Sequence, residues 1–165
     1  MSVQREGTNW KLPRTFVGPL TCHRCVSECW YPGPVTVIVH EAVRPLVTAD
    51  EFRELIDAED PNAMFGIPIP FTVLKGHDYV EDLLERDELV NVQLPQKFDR
   101  AKLVSAHEAA RREGTSFTED ASLFHHHVGE PVRILPGSER NIKITVPTDI
   151  VTAEAIYADS IGRGG

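Results

Sequence analysis

Residues able to do chemistry gather at a few places in the sequence. Cys22, Cys25 and Cys29 sit within eight residues, with His23 among them. Thiolates and imidazole are suitable ligands for zinc or iron–sulfur sites. No second Cys-x2-Cys completes such a set, however, and an odd, closely spaced count argues against a disulfide framework. Reduced thiols are the expectation. His125-His126-His127 raises the metal question again, but neighbouring helical positions point about 100° apart. Three consecutive histidines do not converge on one ion from a helix, so a solvated helix end is expected. His40-Glu41-Ala42-Val43-Arg44-Pro45 stands differently. It follows an apolar run that reads as a buried strand, and open α/β sheets bind ligands beyond the carboxyl ends of their strands.

The totals limit what these groups can act on. Asp and Glu number 25 against 17 Lys and Arg, a formal charge of −8. An acidic chain without basic clusters is a poor binder of nucleic acid or anionic membrane, because phosphate attraction needs a positive surface. Any phosphate must therefore be held by a few placed Arg and Lys side chains. No apolar run reaches membrane-spanning length, and Met1 to Leu20 lacks the apolar stretch of a signal peptide. A cytoplasmic protein is expected. With 165 residues, 41% of them hydrophobic, the chain is long enough for one domain with a real core.

The elements that must position these groups follow from the pattern. Residues 1–34 carry Pro13, Pro19, Pro32 and Pro34, with Gly18 and Gly33, and no sustained period, so an irregular segment is expected. A folded domain is read over residues 35–165. Val35 to Val39 is a β-branched run of the kind buried on both faces. Thr48-Ala49-Asp50-Glu51 has capping-box spacing, with Phe52, Leu55 and Ile56 on one helical face. Phe65 to Leu74 is apolar and extended, and Pro68 and Pro70 suggest an edge or an arm, taken here as about residues 69–90 with a turn at Gly76-His77-Asp78.

Asp99 can cap a helix whose stripe is Leu103, Ala106, His107 and Ala110, with Gly114 as its stop. Thr118, Glu119 and Asp120 start another. Val132 to Leu135 reads as a short strand and Ile142 to Thr145 as strand-like. Pro147, Thr148 and Asp149 open a last helix with a buried stripe at Ile150, Ala153, Ile156 and Tyr157. Strands alternating with helices indicate α/β layering and a mostly parallel sheet flanked by helices.

Four stretches, taken in order, resemble a known family. They are His40-Glu41-Ala42-Val43-Arg44-Pro45, Leu94-Pro95-Gln96-Lys97-Phe98, Thr118-Glu119-Asp120-Ala121-Ser122 and Asn141-Ile142-Lys143-Ile144-Thr145. These resemble the H-D-A-x-R-P, T-P-Q-x-F, T-D-[DE]-A-S and N-I-K-[VI]-T signatures of the methylerythritol-phosphate cytidylyltransferases, most of which the ribitol-phosphate cytidylyltransferases share. Each motif alone is weak; four in the right order are specific. The resemblance runs from about Val35 to Ala158. It implies a nucleotidyltransferase (Rossmann-like) sheet with a protruding β-arm, and a reaction between CTP, carried with magnesium, and a polyol phosphate, with pyrophosphate released. That chemistry belongs to the isoprenoid precursor pathway.

The resemblance also implies roles. Lys143 would contact the reacting phosphates, Arg44 would hold substrate in the same pocket, and Glu41 would stand beside substrate where the family has Asp. Thr72, in Phe71-Thr72-Val73-Leu74-Lys75, and Arg86 would be the substrate-binding residues of an arm that reaches a second subunit, so a homodimer is implied. No metal ligand of the protein's own is assigned. Read without the family, Arg44 could brace the loop after its strand, Glu41 could make a turn contact, and Lys143 could be an exposed strand residue. Leu94 stands where the family has Thr, and no stretch matches the family's A-A-G-x-G-x-R-M-G loop, whose backbone N–H groups cradle the CTP phosphates. The resemblance therefore implies an incomplete fold: a substrate-side half of a cytidylyltransferase, acting as a truncated enzyme or persisting as an inactive dimerising module.

Overall fold

The computed structural model describes residues 4–6, 9–11 and 36–162. Two short strands, β1 (Gln4–Glu6) and β2 (Asn9–Lys11), pair antiparallel. The rest of the irregular segment expected over 1–34, the cysteine cluster included, lies outside the described residues.

The main sheet has four strands: β3 (Thr36–Val39), β4 (Ala63–Pro68), β7 (Val90–Asp99) and β8 (Arg133–Pro136), in the order β3-β7-β4-β8. β7 runs antiparallel to both β3 and β4, and β8 runs parallel to β4. Three strands therefore share one direction and β7 opposes them. The β-branched run of β3 is only half-buried, where burial on both faces was expected. Among the described residues β3 is an edge strand, and β-branching favours a pleated backbone without dictating how many faces are covered. Phe65, read as part of an edge or arm, instead lies buried in the central strand β4; Pro68 is tolerated because it ends that strand. Between β4 and β7, β5 (Val73–Gly76) and β6 (Val80–Leu84) form a separate antiparallel hairpin, and a 3-10 turn over Arg86–Glu88 leads back to the sheet.

Helices cover both faces. On one side α1 (Ala49–Asp57) begins with a complete capping box, Thr48 and Glu51 bonding each other's backbone N–H. Its Leu55 packs with Ala63 and Phe65. Ile56, expected on the same face, is exposed, because it is turned about 100° from Leu55. On the other side α2 (Arg100–Glu113) is capped by Asp99 and stopped by Gly114 at φ 69°, a left-handed conformation that glycine adopts without a Cβ clash. Leu103, Ala106, His107 and Ala110 are buried as the period predicted. α3 (Asp120–Val128) packs beside α2, and Phe124 meets Phe98 of β7 with ring centroids 5.2 Å apart. These residues with Met64, Leu123 and Ala121 form the larger core.

Two expectations need correcting. Residues 142–145 form no strand; the segment is tied by a bond from Ile144 N–H to Val43 C=O at 2.8 Å. In α4 (Pro147–Gly162) only Ala153 of the expected stripe is buried, while Ile150 and Tyr157 are exposed. Periodicity identifies an apolar face but not whether a partner covers it. No described helix is long and apolar enough to cross a membrane.

Candidate active site

The loop leaving β3 turns at once, with Arg44 N–H donating to Glu41 C=O at 3.2 Å. This brings both side chains inward, and both are buried. One carboxylate oxygen of Glu41, Oε1, accepts from Arg44 Nε at 2.6 Å. The other, Oε2, lies 2.9 Å from Lys143 Nζ. A buried charge is tolerated when it is paired and hydrogen-bonded, and here one acid holds two cations.

The cations are also fixed from behind. Arg44 Nη1 donates to Asn141 C=O at 2.8 Å and Nη2 to Val92 C=O at 3.2 Å. Asn141 is buried, and its Nδ2 donates to Leu94 C=O at 2.8 Å and to Glu51 Oε1 at 2.9 Å. Glu51 therefore serves the cap of α1 through Oε2 and the Lys143 segment through Oε1. Gln93 completes the fastening: Nε2 donates to Ser138 C=O at 2.7 Å and Oε1 accepts from Ser138 N–H at 3.0 Å. A Cβ on Gly137 would stand 2.2 Å from that Oε1, so any larger residue there would have to move the Gln93 amide.

The cations face a cavity of about 530 Å³, whose lining includes Arg44, Lys143, Asn91, Phe71, Thr118 and Glu119. A volume in this range suits a small ligand, given the usual 300–1,000 Å³. Lys143 is partly exposed toward it, whereas three donor atoms of Arg44 are committed to the protein. Burial raises the Glu119 carboxyl above its ordinary value and nearby Asp120 adds to the effect; a hydrogen bond from Gln96 opposes both. Burial also lowers His40 below the usual imidazole value.

Of the residues singled out by sequence, Glu41, Arg44 and Lys143 come together. Thr72 and Arg86 do not join them: both are exposed on or beside the hairpin, outside the pocket lining, and the neighbour of Arg86 is Asp87 at 3.7 Å. The sequence pattern marked Thr118 and Glu119 as a helix start inside a family motif, with no site role given to either, and Glu51 only as a cap. The signal for the first pair was their place in the Thr118–Ser122 motif; Glu51 offered none, because its second contact is 90 residues away.

The α/β sheet, with buried Arg44 and partly exposed Lys143 gathered on Glu41 beyond the end of β3, has the nucleotidyltransferase architecture of known structures. The 2-C-methyl-D-erythritol 4-phosphate cytidylyltransferase of Thermus thermophilus superposes with a TM-score of 0.71 at 29% identity, covering 82% of this chain and 67% of that one. The 4-diphosphocytidyl-2C-methyl-D-erythritol synthase of Anaerococcus prevotii gives 0.74 at 28%, covering 82% and 62%. In sequence, the 2-C-methyl-D-erythritol 4-phosphate cytidylyltransferase of Geobacillus kaustophilus is 39% identical over 137 residues, which are 79% of this chain and 58% of that protein. That of Synechocystis is 34% identical over 129 residues, 76% and 56%. Residues 31–159 match the family described as IspD, 2-C-methyl-D-erythritol 4-phosphate cytidylyltransferase, and the chain belongs to it. It spans less than three fifths of the length of these curated relatives.

Proposed function

We propose that this chain supplies the polyol-phosphate side of a cytidylyltransferase site and acts on methylerythritol phosphate and CTP. An oxygen of the polyol phosphate attacks the α-phosphorus of CTP, the bond from that phosphorus to the β-phosphate bridge breaks, and pyrophosphate leaves with the electron pair. Such a transfer depends on positioning and on charge placed where negative charge crowds. The observation that carries the reading is the pairing of Lys143 and Arg44 on one buried carboxylate at the edge of the cavity. Lys143 contacts the reacting phosphates. Arg44 has two N–H groups beyond its protein bonds and orients the substrate phosphate. Glu41 acts through them: its oxygens are both taken, so it sets the spacing of the two cations.

Magnesium fits only as a companion of the nucleotide, since it is usually held by one or two carboxylates plus phosphate oxygens. Glu119 is the pocket-lining carboxylate that would hold it, because Glu41 is committed on both oxygens. Bound there, the ion would neutralise charge between the phosphates.

A second reading rests on two features of the sequence: no stretch matches the glycine-rich nucleotide loop, and Leu94 stands where the family has Thr. On that reading the chain binds the polyol phosphate, methylerythritol or ribitol, without turning it over alone, either as a dimerising remnant or beside a separate chain carrying the loop. Calorimetric titration with each polyol phosphate, then with CTP, tests both. Binding of one polyol phosphate that Lys143→Ala weakens supports a site on this chain. Absence of polyol-phosphate binding by the folded protein removes both readings.

A further inference from the structure

The last turns of α2 and α3 meet at three side chains that the pocket does not use: Glu113, His126 and His127. One ligand atom from each lies within 4.8 Å of the other two. His127 anchors the group. Its side chain is only 6% exposed, and its ring packs edge-on against Phe117 with centroids 5.4 Å apart. Its Nδ1 lies 3.9 Å from Glu113 Oε2, too far for a hydrogen bond. Its Nε2 is buried without a hydrogen-bond partner. A buried nitrogen left unpaired costs about 1–3 kcal/mol, so this imidazole is held in place yet unsatisfied. His126 crosses it at 4.7 Å and 88° and rests on the same Phe117 at 5.2 Å.

The helical argument against three consecutive histidines still applies to His125, whose Nδ1 turns instead toward Glu130 C=O at 3.4 Å. The third donor comes from the neighbouring helix, which the sequence pattern could not reveal. We propose that Glu113, His126 and His127 form a site for a divalent transition-metal ion of the zinc type, with water in the fourth position. Two imidazoles and one carboxylate suit zinc and its neighbours, whereas magnesium and calcium prefer all-oxygen sets. Tetrahedral donors about 2.0–2.2 Å from the ion stand about 3.4 Å apart. The separations must therefore shorten by about 1.4 Å at most, which rotation of the exposed Glu113 and His126 side chains supplies while His127 stays packed. The bound ion ties the end of α2 to the end of α3.

The test is titration of zinc chloride into the full chain by calorimetry, in a background with Cys22→Ser, Cys25→Ser and Cys29→Ser to remove competing thiolates. One ion per chain with micromolar or tighter affinity is expected. The thermal midpoint should rise by about 5–10 °C at a hundredfold excess over the dissociation constant. His126→Ala and Glu113→Gln, both at exposed positions and so compatible with the fold, should each weaken binding at least tenfold, while His125→Ala leaves it unchanged. No binding heat and no midpoint shift at ~100 μM zinc, where a micromolar site would be filled, overturns the site. So does an effect of His125→Ala equal to that of His126→Ala, which would mark loose binding to a histidine run, or indifference to Glu113→Gln.

Discussion

Lys143 Nζ lies 2.9 Å from Oε2 of Glu41. The opposite oxygen of that carboxylate takes Arg44 Nε at 2.6 Å, so one buried acid sets the spacing of two cations 99 residues apart in the chain. Removing one member of a buried pair leaves an uncompensated charge, at a cost of about 3–5 kcal/mol. Because Lys143 is partly exposed, the lower end applies. Glu41→Ala should reduce the unfolding free energy in urea by about 3 kcal/mol; an unchanged value would remove Glu41 from its positioning role.

Glu51 joins the start of α1 to the Lys143 segment. Thr48→Ala removes half of a capping box and should cost about 1 kcal/mol. Glu51→Ala removes the other half and also one of the two acceptors of Asn141 Nδ2, so it should cost clearly more. Equal losses in the two urea titrations would mean that the bond to Asn141 contributes nothing.

Burial holds the folded Glu119 carboxyl above its ordinary value. The stability this group contributes is then fully present below its unfolded pKa, about 4.3, and is lost as pH rises through the folded value. Glu119→Gln should therefore be more stable than the parent near neutral pH, with the difference closing as pH falls toward about 4.3. Urea midpoints across that interval check it, and a less stable variant near neutrality contradicts it.

The hairpin of β5 and β6 presents Leu74, Tyr79, Val80 and Leu83 to solvent, Tyr79 at 85% exposure. Exposed apolar side chains concentrated on one element are the kind of surface a second subunit would cover. Light scattering on the full chain should give twice the 18.4 kDa monomer mass, and replacing residues 72–84 by a glycine–serine linker should give the monomer. A monomer in both would end the proposed shared-site role of Thr72 and Arg86.

Much of this was legible in the sequence because it is local. Thr48 and Glu51, Asp99 and Gly114, and the stripe from Leu103 to Ala110 are set by contacts within a turn or two of helix, and each appears where the pattern placed it. The grouping of Glu41, Arg44 and Lys143 was reachable only through ordered motifs, since no periodicity connects residue 41 with residue 143. What stayed hidden depends on partners across the chain. The exposed faces of Ile56, Ile150 and Tyr157 depend on which neighbours cover a helix. The second bond of Glu51 and the approach of Glu113 to His127 depend on how segments pack.

Lys143 is the residue on which cytidylyl transfer by this chain is proposed to depend. The most direct measurement is pyrophosphate release by the purified protein with CTP, magnesium and methylerythritol phosphate, with Lys143→Ala alongside. Release should require methylerythritol phosphate and fall at least ~100-fold in the variant, as expected when a charge aimed at the transition state is removed. Release that Lys143→Ala leaves intact would contradict the proposal, as would a folded chain that releases none even when a chain carrying the glycine-rich loop is supplied.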